Sequence, residues 1–132
     1  MTQLEKTVAY LQQSAEKDWR VANKLFHTKD YAHSLFFCHL TLEKLLKAII
    51  VEKTDEAAKF SHDLAKLAAD AGAPVDKEMV LSLDEITNFN IAARYDNEKL
   101  DFYKKATRQY SEHYFKITEK IYLWLKKNYL KK

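Results

Sequence analysis

The stretch Leu35–Val51, LFFCHLTLEKLLKAIIV, constrains the fold more than any other part of the chain. Twelve of its 17 residues are apolar, too many for a surface helix and too long a run for a strand. A helix that is apolar nearly all round has to be wrapped by other elements or by a second subunit. Yet His39, Glu43 and Lys47 fall within an arc of roughly 80° at 100° per residue, together with Phe36 and Ile50. Glu43 and Lys47 stand i,i+4 in the favourable order, and an exposed pair of that kind adds only about 0.3–0.5 kcal/mol. Two readings stay open: a partly buried ion pair on a bundle helix, or a polar strip lining a cleft.

The remaining chain supplies what such a helix needs for a wrapping. It contains one glycine and one proline in 132 residues, and sandwiches and α/β folds need many more turn residues. An all-α fold follows, in one domain over residues 1–132. With Gly72 as the sole glycine there is no glycine-rich phosphate loop. The net charge of +3 comes from 22 basic and 19 acidic side chains, so composition alone does not announce nucleic-acid binding. Only Arg20, Arg94 and Arg108 offer the planar fork that holds phosphate bidentately. Cys38 is a lone cysteine among apolar neighbours, which reads as a buried structural thiol. The five histidines are scattered and lack a Cys partner or an H-E-x-x-H spacing, so neither a metal site nor a cofactor is expected. No run approaches ~18 uncharged apolar residues and no export signal is visible, which leaves a cytoplasmic, non-membrane protein as the expectation.

Leu4, Val8, Leu11, Ala15, Trp19, Ala22 and Leu25 recur at three- and four-residue steps, predicting a first helix near residues 3–27. The short link 27–30 makes the second helix antiparallel to it, with Asp30 as N-cap and an end near Lys53. Residues 54–61 read as a loop. Ser61 is placed to cap a short third helix, His62–Ala71, ended by Gly72 and Pro74. Asp76 is placed to cap a fourth running to about Ala93. After a break at 94–97, a last helix is expected over Glu98–Tyr129, held by one unbroken stripe through Tyr103, Ala106, Tyr110, Tyr114, Ile117, Ile121 and Trp124. The paired lysines at 126–127 and 131–132 suit its C-terminus. The expectation is four long helices plus a short extra one.

Ser34-x-Phe36 and Glu43-Lys44-x-Leu46-Lys47-Ala48, then His62-Asp63-Leu64-x-x-Leu67, then Ala93-Arg94-Tyr95-Asp96, occur in that order. This resembles the HEPN domain family (higher eukaryotes and prokaryotes nucleotide-binding), with its E-K-x-L-K-A helix, H-x-L turn and R-Y-P turn. The resemblance covers the chain from Trp19 through the final helix. It implies an up-and-down helical bundle that forms a homodimer, binds a nucleotide or RNA, and is often paired with a minimal nucleotidyltransferase. Asp96 departs from the family's usual proline, and Cys38-His39 from its usual glutamine-alanine.

Many HEPN proteins are metal-independent ribonucleases marked by an arginine, four to six residues, then a histidine. The arginine holds the scissile phosphate and the histidine moves protons. After Arg94 the slots hold Lys99, Leu100 and Asp101, none a near-neutral acid–base group. Arg108 and His113 satisfy the count, but positions i and i+5 on a helix point about 140° apart. Chance explains that match better, and no catalytic residue is assigned. The resulting expectation is a nucleotide- or nucleic-acid-linked binding module whose ligand residues are Arg94, Tyr95, Asn90, His39, Glu43 and Lys47. Its alternatives are a ribonuclease toxin of a toxin–antitoxin pair and a ligand-free dimerisation scaffold. For Arg94, two roles are open: a ligand-binding fork backed by Asn90 one turn earlier, or a structural pair with a carboxylate such as Glu43.

Overall fold

A computed structural model describes residues 1–130, with Ala93 described in its backbone alone. Helix α1 spans Gln3–His27, α2 Tyr31–Thr54, α3 Leu64–Asp70, α4 Lys77–Thr87, α5 Asp96–Lys105 and α6 Arg108–Tyr129, with a 3-10 turn at Ile91–Ala93. No strand occurs among the described residues. Lys131 and Lys132, the second of the expected lysine pairs, lie outside them.

The first two helices form the antiparallel hairpin expected from their short link. Ser34 on α2 donates to the Ala22 carbonyl at 2.8 Å, and Lys44, further along α2, reaches Asp18 at 2.6 Å. Ala15 and Ala22 are fully buried, and residues this small let α1 lie close on α2. The α1 start carries a capping box, in which Thr2 accepts from the Glu5 amide and Glu5 from the Thr2 amide. Helix α6 returns antiparallel to α1: Phe26 and Trp19 stack on Phe115, and Glu16 lies 3.6 Å from Lys126. Helix α4 runs antiparallel to α6, with Met79 near Ile117 and Ile121 and with Glu85 against Tyr110. The four directions therefore alternate, up and down, around α2. Leu35, Cys38, Leu42, Leu45, Leu46 and Ile49 are all within 2% of full burial. An apolar side chain of this size is stabilised by about 1.5–3 kcal/mol on burial, which is what the Leu35–Val51 run contributes to the fold.

The helix count differs from four long plus one short. Among the described residues three α-helices are long and three are short. The last helix is broken: Ala106 sits at φ −79°, ψ 59°, and Thr107 is an extended N-cap whose Oγ1 accepts from the Tyr110 amide at 3.3 Å. The stripe from Tyr103 to Trp124 is therefore not continuous, and Tyr103 stacks on His33 instead. The fourth helix stops at Thr87 rather than Ala93. Phe89 turns into the core at 0% exposure, between Phe102, Tyr110 and Tyr114, and Ile91 is buried behind it. The chain folds inward there because those two apolar side chains gain more from burial than from continuing an exposed helix.

Caps agree in part. Asp76 caps α4 as expected, accepting from the Met79 amide at 2.8 Å. Gly72 has φ +73°, the left-handed turn that stops α3. Asp63, not Ser61, caps α3, accepting from the Lys66 amide, while Ser61 accepts from the Asp63 amide. His62 consequently lies outside the helix. Asp30 holds the N-cap position of α2 but accepts from the Thr28 hydroxyl rather than from a helix amide.

Candidate ligand-binding site

On α2 the side chains of His39, Glu43 and Lys47 do converge, and a fourth residue completes the group. His62, in the loop before α3, donates from Nδ1 to Glu43 Oε1 at 2.7 Å, while Lys47 donates to Oε2 at 3.0 Å. The carboxylate is only 8% exposed, so both its oxygens are satisfied by charged or ring N–H donors, as a buried carboxylate requires. Burial alone pushes the Glu43 carboxyl up. The bonds from His62 and Lys47, with the nearby His39 and Lys47 charges, more than offset this and leave it below the usual range.

His39 is fully buried. Its Nε2 faces the His62 carbonyl oxygen at 3.1 Å, so Nε2 carries the proton, and Nδ1 has no hydrogen-bond partner. Burial holds its pKa below 6.5. Phe60 stands 89% exposed at the mouth of this group. Its ring lies edge-on to His62 at 5.1 Å and 5.8 Å from the Lys47 ammonium. Two grooves that lie along α1, at the ends of α2 and α6, include none of these residues.

Arg94 is elsewhere and does not touch Glu43. Its guanidinium meets Glu98 at 3.5 Å and Asn88 at 3.3 Å, and its side chain is 31% exposed. Asn90 belongs to the start of the 3-10 turn, so the one-turn spacing that would set it beside Arg94 does not apply. Asn88 takes that place. Tyr95 is 80% exposed as the N-cap residue of α5, where its amide donates to Glu98. One bond links the two clusters: the Leu64 amide, two residues after His62, donates to Thr87 Oγ1, one residue before Asn88.

Arg108 and His113 both lie on α6, five positions apart, where helical geometry points them about 140° apart. His113 packs edge-on against Tyr114 at 4.8 Å. Among the described residues no group of three His, Cys, Asp or Glu is arranged to hold a metal ion.

Sequence reasoning missed two things. It placed His62 at the start of the third helix and gave it no partner, although the H-x-L motif pointed to it, because Glu43 lies 19 positions away. It also missed Glu85, which pairs with Lys105 at 2.8 Å and accepts from Tyr110, closing the break between α5 and α6. Burial and the neighbouring Glu85 carboxylate raise the Tyr110 phenol above its ordinary value.

The comparisons agree with this architecture. The sequence pattern of the HEPN domain matches residues 8–129. The crystal structure of TT1696 from Thermus thermophilus superposes with a TM-score of 0.75 at 19% identity, over 91% of this chain and 96% of that one. At that identity the likeness speaks for the fold alone. Among curated proteins none matches this chain. No helix of the described residues is long and apolar enough to cross a membrane. With the family pattern running over nearly its whole length, the chain belongs to the HEPN domain family.

Proposed function

We propose that this HEPN domain is a nucleotide- or nucleic-acid-binding module that works as a homodimer, with a nucleotidyltransferase as its partner protein. The observation that carries the reading is Phe60, 89% exposed beside Lys47 and His62. An exposed ring next to N–H donors suits a base stacked on the aromatic face and a phosphate held at its edge. Glu43 keeps the two donors in place. Arg94 and the exposed Tyr95 repeat the same pairing nearby. The Arg94 fork is only lightly engaged by Glu98 and Asn88, which leaves donors for a second phosphate.

The test is fluorescence anisotropy with a panel of labelled nucleotides and a short single-stranded RNA. Phe60→Ala and Tyr95→Ala should each weaken binding by roughly 5- to 150-fold, the worth of about 1–3 kcal/mol per stacked base. Both rings are exposed, so neither change should move the melting temperature. The RNA should come through uncut, since no histidine follows Arg94 at ribonuclease spacing. Absence of binding by the wild type, or binding indifferent to both changes, would overturn the reading.

A further inference from the structure

We infer that a second copy of this chain docks on the face made by α1 and the C-terminal ends of α2 and α6, with unlike grooves seated on one another. The inference names the surface of the homodimer proposed above and rests on that part of the reading.

Two grooves adjoin along α1. One, of about 610 Å³, has Leu4, Val8 and Val51 as apolar lining and the carboxylates Glu5, Glu52 and Asp55 at its polar edge. Among the described residues no lysine or arginine lines it. The other, of about 410 Å³, is lined by Leu45, Leu123 and Leu130 with Lys126 and Lys127, of which Lys126 is offset by Glu16 at 3.6 Å. Gln12 lines both, so the two form one continuous surface, acidic at one end and basic at the other. From Leu4 to Glu16 the α1 backbone crosses both in about 18 Å.

A surface with adjoining grooves of opposite sign is complementary to itself under a two-fold rotation. With the axis near Gln12, the acidic groove of each copy meets the basic groove of the other, and both contacts are satisfied at once. A parallel arrangement would set like charge on like. Leu123, 57% exposed among lysines, then faces an apolar lining of Leu4, Val8 and Val51 edged by carboxylates. Two signs side by side make the surface its own complement, which favours a copy of this chain. Glu43, Lys47, His62, Phe60, Arg94 and Tyr95 line neither groove, which leaves them free in the dimer.

The experiment is light scattering and sedimentation velocity on the full chain across a concentration series, with two charge-reversed variants. The first is Lys126→Glu/Lys127→Glu. The second is Glu5→Gln/Glu52→Lys/Asp55→Lys, in which glutamine preserves the capping box of α1. Each alone should dimerise at least about tenfold more weakly than wild type, and an equimolar mixture should regain the wild-type dimer, because both contacts are again unlike. Leu123→Asp, a change at an exposed position, should weaken the dimer without altering the circular dichroism melt. If the wild type dimerises and both variants match it, or if both dissociate and the mixture stays monomeric, the surface is wrong and the homodimer stands. A wild type that is monomeric throughout overturns the homodimer and this surface together, while leaving the nucleotide-binding measurements to be judged separately.

Discussion

Glu43 and His62, 19 positions apart, meet at 2.7 Å and thereby tie the loop ahead of α3 to the most buried helix of the bundle. The same carboxylate holds Lys47, and the His62 carbonyl takes the His39 ring proton. Four side chains and one backbone group thus share a site that an otherwise apolar helix would leave dry.

This sharing makes the fold sensitive to acid in two steps. His39 has a folded pKa below its unfolded value of about 6.5, so protonation favours the unfolded chain. Its contribution is complete above pH 6.5 and declines as the pH falls below it. Glu43 has a folded pKa below its unfolded value of about 4.3, so its contribution is complete above that pH and is lost as the pH falls through the folded pKa. Melting temperatures measured from pH 7.5 to 3.5 should begin to drop near 6.5 and steepen below about 4.3. In His39→Gln the upper step should vanish; a wild-type melting temperature constant between pH 7 and 5 would contradict this.

Removing the charge of Glu43 should cost more than removing that of Lys47. Glu43→Gln leaves Lys47, whose side chain is 16% exposed, without its counter-ion, a loss of about 3 kcal/mol in urea unfolding. Lys47→Met leaves Glu43 still bonded to His62 and should cost about 1 kcal/mol. Equal losses would mean that the His62 bond contributes nothing.

Arg94→Lys distinguishes the two roles left open for that residue. A buried pair with Glu43 would have made the change cost about 3–5 kcal/mol, but Arg94 instead meets Glu98, itself 42% exposed, and Asn88. The expected loss in urea unfolding is at most about 1 kcal/mol. Anisotropy should show a clear loss of affinity for phosphate-bearing ligands, because lysine lacks the fork. Unchanged affinity would remove Arg94 from the site.

Cys38 should be inert in the folded protein. It is 0% exposed, and burial pushes its thiol up to about 12 despite the hydrogen bond with Thr118. Alkylation by iodoacetamide at pH 8 should follow unfolding, accelerating with urea in step with loss of helical signal. Rapid modification of the native protein would show that the α2–α6 interface opens locally.

The burial of α2, the antiparallel hairpin, the Asp76 cap and the stop at Gly72 were all legible in residue order, because each depends on local chemistry: apolar spacing, a short link, an N-cap oxygen, a positive φ. The arc that groups His39, Glu43 and Lys47 was legible for the same reason. The break at Ala106–Thr107 was not, since one irregular residue leaves the aromatic spacing of Tyr110 and Tyr114 looking helical on both sides. Nor was the end of α4 at Thr87, which depends on Phe89 finding space between Phe102, Tyr110 and Tyr114.

The partners of the polar groups were decided by tertiary structure alone. Sequence placed Glu43 and Lys47 together but not Glu43 and His62, and it set Arg94 beside Asn90 where the folded chain has Asn88. Helical periodicity specifies which face a residue occupies. A hydrogen bond near 2.7–3.2 Å also requires the axial position and rotation of two separate elements, and those follow from how their side chains pack.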